Sequence, residues 1–228
     1  MDQAQNNKRS GADVEHALEL LRDGIQHGRY VAGQRLIEID LIRDLGVSRG
    51  RVREALRRLE GEGLVHIQKN RGASVRKTSR KELADIFEVL TEVSVITVRR
   101  AMQSLERPAN RKRIEASLKI AQTFSQRSDQ VKEVTAYMEE NGRFWDSIAA
   151  VVDNAVLTST RAHLQTLLYR LQFQGLIISD REKWITQHEE ILAAMLKGKG
   201  TLAEHLVYTA SESVKEAMLS LPDEAFSR

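Results

Sequence analysis

The chain contains no cysteine, which excludes disulfide cross-links, thiolate metal sites and thiol nucleophiles. No run of about 18 apolar residues occurs, so no segment reads as a membrane-spanning helix. The opening MDQAQNNKRSG lacks the apolar stretch of a secretory signal. G-x-S-x-G, Walker and dinucleotide fingerprints are also missing, and nothing points to an enzyme. Proline is scarce: Pro108 falls between helical stretches and Pro222 lies near the C-terminus. What remains is an ordinary globular composition, 228 residues with 41% hydrophobic and 29% charged. That is enough for one large domain or two small ones, and the expected setting is cytoplasmic, with no membrane partner.

The net charge of +3 is unevenly spread. Residues 1–77 hold 15 Lys and Arg against 11 Asp and Glu, whereas the remainder holds 20 against 21. Within the first part, Arg49–Arg58 carries five arginines, one glutamate and no lysine. A solvated helix face is the commoner source of a charge run. A merely soluble face mixes in lysine and glutamate, whereas the planar guanidinium fork suits phosphates and guanine edges.

Glycines divide the chain. Gly24, Gly28, Gly33, Gly46, Gly50, Gly61, Gly63 and Gly72 all precede residue 77, which implies short elements joined by tight turns. From about residue 79 onward glycines are few and helical periodicity dominates. The reading is a disordered tail over residues 1–11, a first domain over 12–77 and an all-helical domain over 78–228, with Ser79 as a plausible N-cap. In the first domain, Val14, Ala17, Leu18, Leu21 and Ile25 define one helix. A short helix over Glu38–Leu45 stops at Gly46. Ser48 caps a third, whose stripe is Val52, Ala55, Leu56 and Leu59. Leu64–Gln68 and Ala73–Arg76 read as strands around a Lys69–Gly72 turn. Helix, helix, tight turn, helix and basic hairpin outline a winged helix-turn-helix. The fold class is therefore mainly α, a winged helix-turn-helix followed by an antiparallel helical bundle.

The stripe of the third helix leaves Gly50 facing directly away from the core, flanked by Arg53 and Arg57 on one side and Arg51 and Arg58 on the other. A glycine there costs about 1 kcal/mol relative to alanine. Close approach of the backbone to DNA would justify the cost; so would accident. The expected DNA interface comprises Ser48, Arg49, Gly50, Arg51, Arg53 and Arg57 on the helix and Lys69, Asn70, Arg71 and Gly72 on the wing. Arg49, Arg51 and Arg53 would read bases, with the other basic residues holding phosphates.

The stretch GRYVAGQRLIEIDLIRDLGVSRGRVREALRRLEGEGLVHIQKNRGASV resembles the DNA-binding domain of the GntR family of bacterial transcriptional regulators. The spaced glycines and leucine of its opening, the LGVSR turn, the VREALRRLE helix and the EGLV…RG wing follow in the family's order. The helical remainder is similar in length and pattern to the FCD-type ligand-sensing domain of the FadR branch. The resemblance implies a homodimer that binds a palindromic operator in double-stranded DNA and is released by a small metabolite. It matches Arg49 and Arg53 to the arginines that read guanines, and places Gly72 in the wing. Gly50-Arg51 departs from the family's usual Thr-Pro, and Ile39 replaces a commonly basic residue.

Many FCD domains hold a divalent metal. The corresponding positions here are Asn141, Trp145, His188 and Ala210, of which only His188 keeps a ligand. The expectation is no metal and no cofactor. Asn141, Trp145 and His188 still fall on inward stripes, either satisfying one another's hydrogen bonds or forming a retained effector pocket with an indole where the metal was. Such a pocket would suit an apolar or aromatic effector. The stretch Leu90-Thr91-Glu92-Val93-Ser94 lacks the arginine and glutamate of the family's carboxylate-binding pattern. Arg99, Arg161 or Arg170 could substitute, and spacing does not choose among them. The remaining histidines, His16, His27, His66, His163 and His205, form no ligand spacing. Asp180, Glu182, Glu189 and Glu190 read as helix-dipole compensation.

The functional expectation is a sequence-specific DNA-binding regulator, a repressor, dimeric and released by an effector bound without metal. The alternative is a constitutive DNA-binding dimer with a degenerate sensing domain.

Overall fold

The computed structural model describes residues 2–126, 134–177 and 181–227, with the side chains of 2–12, 135, 169–177, 181 and 182 outside the description. The chain separates into two compact units. One holds Met1–Ser79 and Pro222–Arg228 with Tyr169–Leu171; the other holds Arg80–Leu168 and Gln172–Leu221.

The first unit is built on three helices. Helix α1 spans Asp2–Gln26 and buries Val14, Ala17, Leu18, Leu21 and Ile25, the stripe expected from the sequence. Residues 2–11, expected as a disordered tail, continue this helix. Adding a residue to an existing helix avoids the unfavourable nucleation step, so a polar extension can propagate from a packed segment. Helix α2 spans Glu38–Leu45 and ends at Gly46, whose φ of 66° and N–H to the Ile42 carbonyl form a left-handed cap. Helix α3 spans Arg49–Gly61 and buries Val52, Ala55, Leu56 and Leu59. Strands β2 (Val65–Gln68) and β3 (Gly72–Val75) form the expected antiparallel hairpin, with Val65 opposite Val75 and Gln68 opposite Gly72. A two-residue strand β1 (Arg35–Leu36) pairs with the other edge of β3. It escapes sequence reading because two residues carry no alternation. The stripes of α1 and α3, together with Leu36, Leu64, Ala73 and Val75, close one apolar core.

The second unit is helical throughout its described length. Helix α4 (Arg80–Gln103) leads through a 3-10 turn (Ser104–Glu106) into α5 (Pro108–Ser125). Pro108 sits in the first turn of α5, where a missing N–H costs nothing. Then follow α6 (Val134–Ala149), α7 (Ala155–Ile177), α8 (Arg181–Leu196) and α9 (Gly200–Leu219). Helix α9 packs on α4 and α8, and α5 packs on α8. Val98, Ile114, Phe144, Ile148, Leu192 and Val207 meet in its core.

The C-terminal segment returns to the first unit. Ser227 N donates to the Thr78 carbonyl at 3.1 Å, Lys77 Nζ donates to the Glu224 carbonyl at 2.8 Å, and Phe226 is buried.

Candidate nucleic-acid interface and ligand cavity

Because the apolar stripe of α3 is buried, its opposite face must point outward. Ser48, Arg49, Gly50, Arg53 and Arg57 are all exposed. Ser48 is the N-cap residue but makes no side-chain cap, so its hydroxyl remains available at a helix start that favours phosphate. A Cβ on Gly50 would meet nothing within 4 Å. Among the described residues, no neighbour therefore requires glycine there.

Arg51 sits elsewhere. Its guanidinium pairs with Asp13 of α1 and its side chain is only 29% exposed. The expectation that Arg51 adds a base contact does not match this arrangement, in which it ties α3 to α1. One residue along a helix is a rotation of about 100°, enough to move a side chain from the free face to the flank.

Glu38, which the sequence reading did not single out, organises the exposed arginines. Arg53 Nε donates to Glu38 Oε1 at 2.8 Å, and Arg49 Nε lies 3.8 Å from Glu38 Oε2. One carboxylate at the start of α2 thus faces both arginines, which stand one turn apart. The signal in the sequence was an acid opening α2 ahead of an Arg-x-x-x-Arg pair; only the turn at Gly46 brings them together. Ile39 is 66% exposed, an apolar side chain on the free side of α2.

The wing carries Lys69, Asn70, Arg71 and Gly72, all exposed. Asn70 has φ 65° and Gly72 has φ 86°. Left-handed backbone at these two alternate positions needs residues that tolerate it, which Asn and Gly do. Arg35, on β1, was also missed. Its Nη2 donates to the Arg71 carbonyl at 2.8 Å, bracing the tip of the hairpin from beneath. Glu38, Arg53, Arg57, Lys69 and Asn70 line an open groove between α3 and the wing.

In the helical unit, Asn141, Trp145, His188 and Ala210 line one cavity of about 60 Å³, although they come from three different helices. Asn141 and His188 are buried. The His188 ring stacks on Phe144 at 4.1 Å between centroids, with the planes 6° apart. Burial, with the Arg143 guanidinium adding to it, pushes the His188 imidazole down to about 3. It is neutral at physiological pH. Its Nδ1 and the Gln187 Oε1 are buried without a hydrogen-bond partner among the described residues. The other Trp of the chain, Trp184, lines the same cavity and donates from Nε1 to Ser213 Oγ at 3.2 Å.

Two of the three arginines have described side chains. Arg161 is 7% exposed, lines the cavity and lies over the Trp145 ring at 4.0 Å from its centroid. Arg99 is half-exposed on α4 and pairs with Glu204 through two bonds of 2.8 and 2.7 Å. The side chain of Arg170 lies outside the described residues, as do that of Glu182 and the whole of Asp180. Leu90 lines the cavity from α4, within the stretch that lacks the family's arginine. An aromatic effector fits the walls better than the space. About 60 Å³ is well below the ~150 Å³ that takes a benzene ring.

The donor set does not suit a divalent metal. Trp145 offers no lone pair for coordination, Ala210 has no donor atom, and an amide with one imidazole makes a weak pair. Among the described residues no three His, Asp or Glu side chains converge as ligands. A buried guanidinium on the cavity wall would repel a cation besides.

Two family models match the chain. Residues 13–75 match the bacterial regulatory proteins of the gntR family, and residues 85–210 match the FCD domain. Among curated proteins, the chain is 27% identical to the Uxu operon regulator of Haemophilus influenzae, covering 90% of this chain and 81% of that one. It is 24% identical to the HTH-type transcriptional repressor RspR of Escherichia coli K12, covering 92% and 90%. Among solved structures, a GntR regulator from Rhodococcus sp. RHA1 superposes with a TM-score of 0.72 at 22% identity, over 92% of this chain and 99% of that one. Escherichia coli McbR/YncC gives 0.72 at 18% identity, over 88% and 93%. Among the described residues no helix is long and apolar enough to cross a membrane.

Proposed function

This chain belongs to the GntR family of bacterial regulatory proteins and carries an FCD domain, and from that premise we propose that it is a repressor. It binds a palindromic operator as a homodimer, and a small molecule in the cavity of the helical unit releases it. Arg49 and Arg53 read base edges in the major groove. Ser48 and Arg57 hold phosphates, and the Lys69–Gly72 wing follows the adjacent backbone. Asn141, Trp145 and His188 form part of the effector pocket.

The observation that carries this reading is the pair Arg49 and Arg53, one turn apart on the exposed face of α3, beside a basic wing. The Glu38 carboxylate faces both guanidinium groups. The repressor assignment draws on the relative named as a repressor.

Selection of an operator from randomised duplexes, followed by fluorescence anisotropy, tests it. A two-fold symmetric consensus with half-sites about one helical turn apart is expected. The Arg49→Ala, Arg53→Ala double variant should lose about 1–3 kcal/mol for each base-reading arginine. Equal affinity of parent and double variant for the selected operator would overturn the reading. Strong salt dependence with no preferred sequence would favour a constitutive, architectural DNA binder instead.

A further inference from the structure

The second unit has an outer surface built by α4 and α9, which run antiparallel. Arg99 pairs with Glu204 through two bonds, and seven residues earlier on α4 the Tyr208 hydroxyl donates to the Glu92 carboxylate. These two ties bridge the helices at their outer rim. Exposed pairs of this kind add little to the stability of a fold, but they fix the side chains of a surface.

A helix at the surface of a monomer needs one apolar stripe, facing its own core. Helix α4 has that stripe in Leu83, Phe87, Leu90 and Val98, and it carries apolar residues on its outer side as well. Val89 is 50% exposed and Ile96 39%, and Tyr208 of α9 is exposed too. Val89, Glu92, Ile96 and Arg99 follow one another at steps of three, four and three residues, which sets them in one row along the helix.

The charges in that row identify what covers it. Glu92 precedes Ile96 by four residues and Arg99 follows it by three. An isologous contact pairs position i with j and j with i. Two copies of the row crossing antiparallel about a two-fold axis at Ile96 therefore set each Glu92 opposite the partner subunit's Arg99. A partner of a single charge sign would oppose either the glutamate or the arginine. The size agrees. At 1.5 Å per residue and about 10 Å per helix, the pair presents a face of about 30 by 20 Å. Two such faces cover roughly 1,200 Å², the lower end of a specific interface.

We propose that the outer face of α4 and α9, centred on Ile96, is where a second copy of this chain docks, with the two α4 helices antiparallel. Ile96 meets its counterpart on the axis, and Glu92 pairs with the partner subunit's Arg99 on either side. This rests on the reading of the protein as a homodimer, and its test separates the face from the dimer.

Sedimentation velocity of the full chain should show a dimer. Glu92→Arg and Arg99→Glu each set like charges opposite one another twice, and each should raise the dissociation constant about a hundredfold. An equimolar mixture of the two should recover dimers, because a heterodimer restores both oppositely charged pairs; recovery also shows that both chains fold. The chain has no cysteine, so Ile96→Cys supplies one thiol at the axis. It should form a covalent dimer under mild oxidation, whereas Val156→Cys, exposed on α7, should not. A dimer that survives both charge variants, a mixture of folded variants that does not associate, or an Ile96→Cys chain that cross-links no faster than Val156→Cys would each overturn this face and leave the homodimer standing. A parent that is monomeric even on operator DNA would overturn both.

Discussion

Gly50 is a residue that no described neighbour explains. A Cβ there meets open space, and its φ is not in the left-handed region. Gly50→Ala should therefore stabilise the chain by about 0.4–1 kcal/mol, read as a higher urea midpoint. If the backbone of α3 approaches DNA closely, the same variant binds the operator more weakly; unchanged operator affinity would leave the glycine without a DNA role. Glu38 invites a second substitution. Its carboxylate opposes the charge of Arg49 and Arg53. Glu38→Gln should raise affinity for random duplexes more than for the operator, lowering the ratio between them in anisotropy titrations. His188 provides a pH test. Its folded-state value lies near 3, below the ordinary 6.5, so the unfolded chain takes up a proton that the folded chain refuses. The stability this contributes is complete above about pH 6.5 and is lost progressively toward pH 3. Between about pH 6.5 and 5, before most carboxylates titrate, urea midpoints should fall in the parent and fall less steeply in His188→Asn.

At the scale of elements, what the sequence discloses depends on how local the cause is. The stripes of α1 and α3 and the stop of α2 at Gly46 are set by residues within the same few turns, and all were readable. Strand β1 was not, since it exists only because β3 offers an edge. The same holds for the cavity. Helix α7, AVLTSTRAHLQTLLYRLQFQGLI, has apolar residues on every side, so no stripe said which way Arg161 points; its neighbours on α6 and α8 decide that. Glu38, too, became informative only once the turn placed it beside α3. The wing supplies an element-level prediction. Arg35 braces the hairpin tip from β1, and a basic residue that acts through the wing should touch all sequences alike. Arg35→Ala is expected to weaken binding to operator and random duplexes by the same factor, with a shallower salt slope. A loss confined to the operator would assign Arg35 to base reading instead.

On the scale of the whole molecule, glycine density and helical periodicity revealed two regions, but a single boundary near residue 78 understates the topology. Residues 222–228 belong with the first unit, held by Ser227 on Thr78 and Lys77 on Glu224. Losing buried Phe226 removes about 1.5–3 kcal/mol of apolar burial. A chain shortened to residue 221 should therefore show a lower first transition by calorimetry; an unaltered melting profile would mean the segment is ornamental. This tail also governs how such proteins can be recombined. Regulators built from a reader and a sensor invite the exchange of one sensor for another at the joint between them. Here the polypeptide passes between the halves before α4 and again after α9, and Tyr169–Leu171 also groups with the first unit. A chimera spliced only at the first crossing would inherit a foreign tail over its own linker, so the reader must be transplanted in at least two pieces.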